Sequence, residues 1–145
     1  MTAASHREYA VALLVDHRGR FLLQRRDNFP SILFPGLIGL FGGQREGDET
    51  FLECVVREVH EETGVLLAPE RFEDLLSIGG LDPEVAEGTV RGQCYLVTGV
   101  AVEPEAVTEG ALVVATAEEI PALMDQMTPV ARMALSRYLS RRASK

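Results

Sequence analysis

The chain has only two cysteines, Cys54 and Cys94, and they lie far apart. That scarcity argues against a disulfide framework and for reduced thiols in a cytoplasmic protein. No apolar run approaches the length of a membrane span. The opening residues, Met-Thr-Ala-Ala-Ser-His-Arg, contain no apolar core of the kind a secretory signal needs. Positive charge is also in short supply: 14 Lys and Arg stand against 22 Asp and Glu, a net charge of −8. A molecule this acidic is a poor partner for a nucleic-acid polymer. It can hold a small anion only where a cation or a few arginines reverse the local field. Internal repeats and low-complexity segments are missing as well.

What remains is an ordinary globular composition, 46% apolar and 25% charged over 145 residues. That is enough for one hydrophobic core. The expectation is a single domain over residues 1–145, with fraying at Met1–Arg7 and Arg141–Lys145. Tyr9–Val15 has strand length and apolar character, Asp16-His17-Arg18-Gly19 is a turn, and Arg20–Gln24 reads as the returning strand of a hairpin. Arg25–Gly36, with Pro30, Pro35 and Gly36, reads as a loop, and Leu37–Phe41 as a short apolar piece. Thr50–Thr63 carries a helical stripe of Phe51, Leu52, Val55, Val56 and Val59. Asp48 or Glu49 opens that helix and Gly64 closes it. Further strands are expected at Val65–Leu67, Phe72–Ile78, Val90–Val102 and Leu112–Ala115, with helices at Ala117–Met124 and Pro129–Arg142. The alternation indicates a mixed α/β domain.

One stretch is electrostatically odd. Glu58, Glu61 and Glu62 crowd the last turn of the Thr50–Thr63 helix at i,i+3 and i,i+4 spacings. Like charges so spaced cost roughly 0.2–0.5 kcal/mol per pair. Carboxylates at a helix C-terminus lose roughly 0.3–1 kcal/mol each against the carbonyl dipoles. A hard divalent cation, Mg²⁺ or Mn²⁺, would relieve both. The competing reading is a solvated acidic face neutralised by Arg57.

The surrounding spacing resembles the Nudix box: Gly, five residues, Glu, seven residues, Arg-Glu, an aliphatic, any residue, Glu-Glu, any residue, Gly, an aliphatic. Gly43, Glu49, Arg57, Glu58, Val59, Glu61, Glu62, Gly64 and Val65 fill every fixed position. The resemblance implies a mixed β-sheet sandwiched between helices (α/β/α). It implies metal-dependent hydrolysis of a phosphoanhydride in a nucleoside diphosphate linked to another group. Glu58, Glu61, Glu62 and the Gly43 carbonyl would ligate the metal, Arg57 would orient the carboxylates, and Glu49 would pair with Arg57. Gly43 would also permit a tight turn, and Gly64 would end the helix in a left-handed conformation.

The general base stays open. Many members use a loop glutamate before a late strand, which is Glu109 here, with Glu103 and Glu105 nearby; in others a box glutamate serves, which would be Glu61. Arg25 and Arg26 end the hairpin where members often touch substrate, and arginine suits phosphate. Arg45 and Arg91 are weaker candidates. Cys54 reads as a packed side chain, His60 as exposed, and His6 and His17 have no ligand spacing. Subfamily markers for ADP-ribose (Pro83 falls late) and diadenosine polyphosphates (Tyr95 falls too far) are imperfect. The Phe34–Gly43 segment looks like members acting on nucleotide sugars or nucleoside triphosphates. Two other classes stay open. One is a silent nucleotide-binding Nudix module, whose usual mark is a broken box. The other is an isoprenoid-diphosphate isomerase-like enzyme, which needs a catalytic cysteine. Many relatives are homodimers, which leaves that state open.

Overall fold

The computed structural model describes residues 5–144. Its strands are β1 (His6–Val15), β2 (Phe21–Arg25), β3 (Ile38–Gly39), β4 (Phe41–Gln44), β5 (Glu73–Leu81), β6 (Thr89–Val97) and β7 (Ala111–Ala115). Its helices are α1 (Phe51–Thr63), α2 (Ile120–Leu123) and α3 (Pro129–Ala143). The strands form one mixed sheet. β1 is central: it runs parallel to β6 along nine paired positions, from His6 opposite Thr89 to Leu14 opposite Val97. It runs antiparallel to β4 at Tyr9–Ala12 and to β2 at Leu14 and Val15. β2 also pairs with β3 and β7, and β5 with β6.

Alternation along β1 explains the layers, because successive side chains leave a strand on opposite faces. Tyr9, Leu13 and Val15 join a core cluster with Val130, Ala131, Ala134 and Leu135 of α3. Ala10, Ala12 and Leu14 join another with Cys54, Val55 and Val59 of α1. The sheet therefore lies between α1 on one face and α3 on the other, the expected α/β/α sandwich. Residues such as Leu13, Leu23, Val55 and Leu135 are fully buried, and each contributes roughly 1.5–3 kcal/mol on leaving water.

Several expected boundaries move. β1 includes His6 and Arg7, and α3 continues through Arg141 to Ala143, so the ends are ordered further than the composition suggests. Arg7 is held by Asp82, with Nε to Oδ2 at 2.7 Å and Nη2 to Oδ1 at 2.8 Å. Met1–Ala4 and Lys145 lie outside the described residues. Val65–Leu67 is not a strand: it joins no ladder, and Leu67 is buried against the α1 side while Leu66 is 70% exposed. β6 stops at Val97 because Gly99 turns the chain with φ +68°. α2 is only one turn and starts later than expected, with Pro121 in its first turn, where proline is tolerated, and a 3-10 turn follows at Met124–Gln126.

Candidate active site

The site is built around α1. Its N-cap is Thr50, whose hydroxyl accepts from the Glu53 amide at 3.0 Å while the Glu53 carboxylate accepts from the Thr50 amide at 2.8 Å. This reciprocal capping box replaces the expected Asp48 or Glu49 cap and leaves Glu49 free for another task. Glu49 takes Arg57 in a two-point grip: Nη2 to Oε1 at 2.6 Å and Nε to Oε2 at 2.9 Å. The guanidinium holds the Glu49 carboxyl down at about 2. Arg57 Nη1 then reaches Glu58 Oε1 at 2.9 Å and Glu61 Oε2 at 3.3 Å. One arginine thus contacts three box glutamates, Glu49, Glu58 and Glu61.

The three helix-end carboxylates do not behave alike. Glu58 and Glu62, one turn apart, line a cleft of about 410 Å³, whereas Glu61 turns away to Arg57 with 57% of its side chain exposed. Among the described residues no three His, Cys, Asp or Glu side chains are gathered into a ready cage for a metal ion. Glu62 is only 5% exposed. Its Oε1 accepts the Gly42 amide at 2.8 Å. Burial, reinforced by the Glu58 and Glu109 charges, nevertheless pushes its carboxyl up to about 8. Burial raises Glu58 too.

The glycine pair has divided roles. The positive φ belongs to Gly42, at +147°, and not to Gly43, which was expected to make the tight turn. Gly43 instead provides clearance: a Cβ there would sit 2.6 Å from Glu58 Cδ. Its carbonyl accepts from Cys54 Sγ at 3.4 Å. Gly64 ends α1 at φ +76°, as expected.

The last carbonyls of α1 lack helical partners, and the loop before β7 satisfies two of them. The Thr108 amide donates to Glu62 O at 3.0 Å and the Thr108 hydroxyl to Glu61 O at 3.1 Å. This tether, with Gln24 Nε2 donating to Glu109 O at 2.9 Å, brings Glu109 to the cleft wall. Glu103 and Glu105, around the Pro104–Ala106 turn, do not line the cleft.

Arg25 and Arg26 separate by strand parity. Arg26 lines the cleft, with Nε donating to Leu33 O at 2.7 Å. Arg25 leaves the other way and is engaged with Gly36 O at 3.0 Å and Gln126 Oε1 at 3.3 Å. Arg45 and Arg91 meet Glu8 and lie over the Phe51 ring. His60 is exposed as expected. Both thiols are buried, and burial pushes Cys54 and Cys94 up to about 12, so neither is an activated nucleophile of the isomerase kind.

Several cleft residues escape the sequence reading, among them Arg7, Tyr9, Gln24, Gln44, Glu84 and Thr128. Gln24 left a trace, as a polar residue directly after the apolar run Phe21–Leu23 of β2, where it is 4% exposed.

A mixed sheet between two helices, with a glutamate-bearing helix end opening on a cleft, is the architecture of a small pyrophosphohydrolase acting on phosphorus acid anhydrides. The NUDIX domain model matches residues 5–135, and the chain belongs to that family. The MutT protein of Methanosarcina mazei Go1 is 25% identical with a TM-score of 0.75, each chain covered over 100%. A bifunctional NMN adenylyltransferase/ADP ribose pyrophosphatase from Francisella tularensis, solved with AMP and a Mn ion, is 19% identical. Its TM-score is 0.74, with 97% of this chain and 43% of that chain covered. The NUDIX domain of Shewanella oneidensis NrtR, solved with ADP ribose, is 21% identical with a TM-score of 0.71, covering 97% and 90%. No curated protein matches at a significant level. No helix among the described residues is long and apolar enough to cross a membrane.

Proposed function

We propose that the cleft hydrolyses the phosphoanhydride of a nucleoside diphosphate derivative, with Mg²⁺ or Mn²⁺ held by Glu58, Glu61, Glu62 and the Gly43 carbonyl. The carrying observation is Glu62: a carboxylate is buried beside a second one at the negative end of a helix. The donor set fits a hard divalent cation, since it is all oxygen and its like charges lack a cation of their own apart from Arg57. Such an ion supplies charge neutralisation for the phosphates and an acidified water.

The chain's own groups do the rest. Arg57, fixed by Glu49, holds Glu58 and Glu61 at the end of α1, from where they would take the ion. Arg26 spends one guanidinium donor on Leu33 O and offers the others to a phosphate. Glu109, pinned through its own carbonyl, takes the proton from the attacking water at its carboxylate. The ADP-ribose and AMP bound by the two relatives above make nucleotide derivatives the substrate class to test first. The buried thiols suit the cytoplasm.

The test is a turnover panel of nucleoside triphosphates, nucleotide sugars, ADP-ribose and dinucleoside polyphosphates with Mg²⁺ or Mn²⁺. Cleavage of at least one compound at a phosphoanhydride, to a nucleoside monophosphate or other phosphate product, is expected. Failure of every compound with both metals would overturn the reading.

A further inference from the structure

The Asp16–Arg20 turn joins β1 and β2 at the ends opposite the cleft residues Tyr9, Gln24 and Arg26. Beside it lies a groove of about 370 Å³ that shares no residue with the cleft. Four arginines gather at this turn. Arg18 and Arg20 belong to it, and Arg142 reaches it from α3, with Nη1 donating to Gly19 O at 3.4 Å. Arg71 stands beside His17: a Cβ on Gly99 would lie 3.4 Å from His17 Cε1 and 3.6 Å from Arg71 Nη2.

Most of this charge is uncompensated. Asp16 is the carboxylate of the groove wall, and its oxygens are already used. Oδ1 accepts the Arg18 and Arg20 amides, both at 2.9 Å, and Oδ2 accepts Arg20 Nε at 2.8 Å. Among the described residues, Arg20 with Asp16 is the ion pair of the turn, and Arg18, Arg71 and Arg142 meet no carboxylate. Neutral groups steady two of them instead. Arg71 Nη2 donates to Thr98 O at 2.7 Å and to Gly99 O at 3.2 Å. Arg142 lies over the Phe21 and Tyr138 rings, 5.6 and 5.4 Å from their centroids. Carbonyl and ring contacts place a guanidinium without cancelling its charge. In a chain of net charge −8, such a cluster reverses the local field and draws an anion.

The floor of the groove has the opposite character. Leu22 and Val100 are buried, Val102 is half-buried, and Val114 is 42% exposed. An apolar floor with a few polar groups at one end is the lining that holds and orients a small organic ligand.

We infer that this groove is a second binding site, for a small molecule carrying a phosphate or carboxylate on a compact apolar body. Arg18 and His17 take the anionic end, and the valines take the body. The site stands apart from the hydrolytic reading, because no cleft residue contributes to it.

The test is an NMR titration of the protein, with Mg²⁺ present, using phenyl phosphate, benzoate, inorganic phosphate and phenol. The His17 ring and the Val100, Val102 and Val114 methyls report the groove, and the Gln24 side-chain amide reports the cleft separately. Phenyl phosphate or benzoate should shift the groove signals and bind there at least about tenfold tighter than inorganic phosphate or phenol. Whichever of the two binds tighter identifies the head group. Arg18→Ala should weaken that binding roughly tenfold with Tm unchanged. Val114→Glu, at an exposed position, should abolish it through like-charge repulsion. Groove signals that stay still with both compounds overturn the inference, as do shifts confined to Gln24. Inorganic phosphate binding the groove as tightly as phenyl phosphate and benzoate overturns it too, and so does wild-type affinity in Arg18→Ala.

Discussion

Glu62 accepts the Gly42 amide at 2.8 Å, yet this bond does not offset the cost of burying its charge, and its carboxyl sits at about 8. The amide fixes the carboxylate in place while the surroundings keep it short of a cation. In the unfolded chain the same group titrates near 4.5. The folded protein thus holds a proton that the unfolded chain has lost, and metal-free stability falls as pH rises from about 4.5 to about 8.

In metal-free protein, Glu62→Gln should therefore flatten this decline, and at pH 8.5 its Tm should exceed the metal-free wild type by several degrees. At pH 4.5 the two should nearly coincide. Thermal melts in chelator across pH check this; parallel wild-type and variant curves would show that Glu62 is not strained by its charge.

The Glu49–Arg57 grip positions Glu58 and Glu61 from outside the cleft. Lysine cannot reproduce a two-point guanidinium contact. Arg57→Lys should lower kcat roughly 10- to 100-fold through misplaced carboxylates, with at most about 1 kcal/mol of stability lost because the pair is partly exposed. Steady-state kinetics beside a denaturant melt separate the two effects. Loss of activity only in proportion to unfolding would deny Arg57 a positioning role.

Arg26 and Arg25 should separate in kinetics as they do in space. Arg26→Ala should raise KM roughly tenfold by removing a phosphate contact. Arg25→Ala should act mainly on Tm, since its partners are Gly36 O and Gln126. An equal rise in KM for both would contradict the parity assignment.

Glu109→Gln should slow kcat by roughly 10²–10⁴, the usual contribution of a general base, and weaken metal binding far less. Turnover with Mg²⁺ and titration with Mn²⁺ give the two readouts. Wild-type kcat in the variant would remove Glu109 from the reaction.

Local pattern carried much of this molecule. The α1 stripe, the Gly64 stop and the β1–β2 hairpin follow from periodicity and turn chemistry, and the spacing of charged residues located the box. Other features depend on partners far along the chain. Gln24 acquires its role only through Glu109, 85 residues away. Tyr9 is an ordinary strand tyrosine until the fold leaves its hydroxyl without a partner among the described residues. Which of Glu61 and Glu62 enters the cleft depends on the rotation of α1 against β4, and spacing does not set that angle. The choice between Arg25 and Arg26 needs the face of β2, and the N-cap passed to Thr50 because Glu49 is committed to Arg57.

The most direct test of the central claim is calorimetric titration of Mn²⁺ into wild type and Glu62→Gln at pH 7 and pH 9, in buffers of different ionisation enthalpy. A carboxyl titrating near 8 must give up its proton to ligate a cation. Wild type should therefore release close to one proton per ion from this group at pH 7 and almost none at pH 9, while Glu62→Gln binds at least about tenfold more weakly and releases none. No uptake of Mn²⁺ by wild type at either pH, with or without nucleotide, would contradict the account.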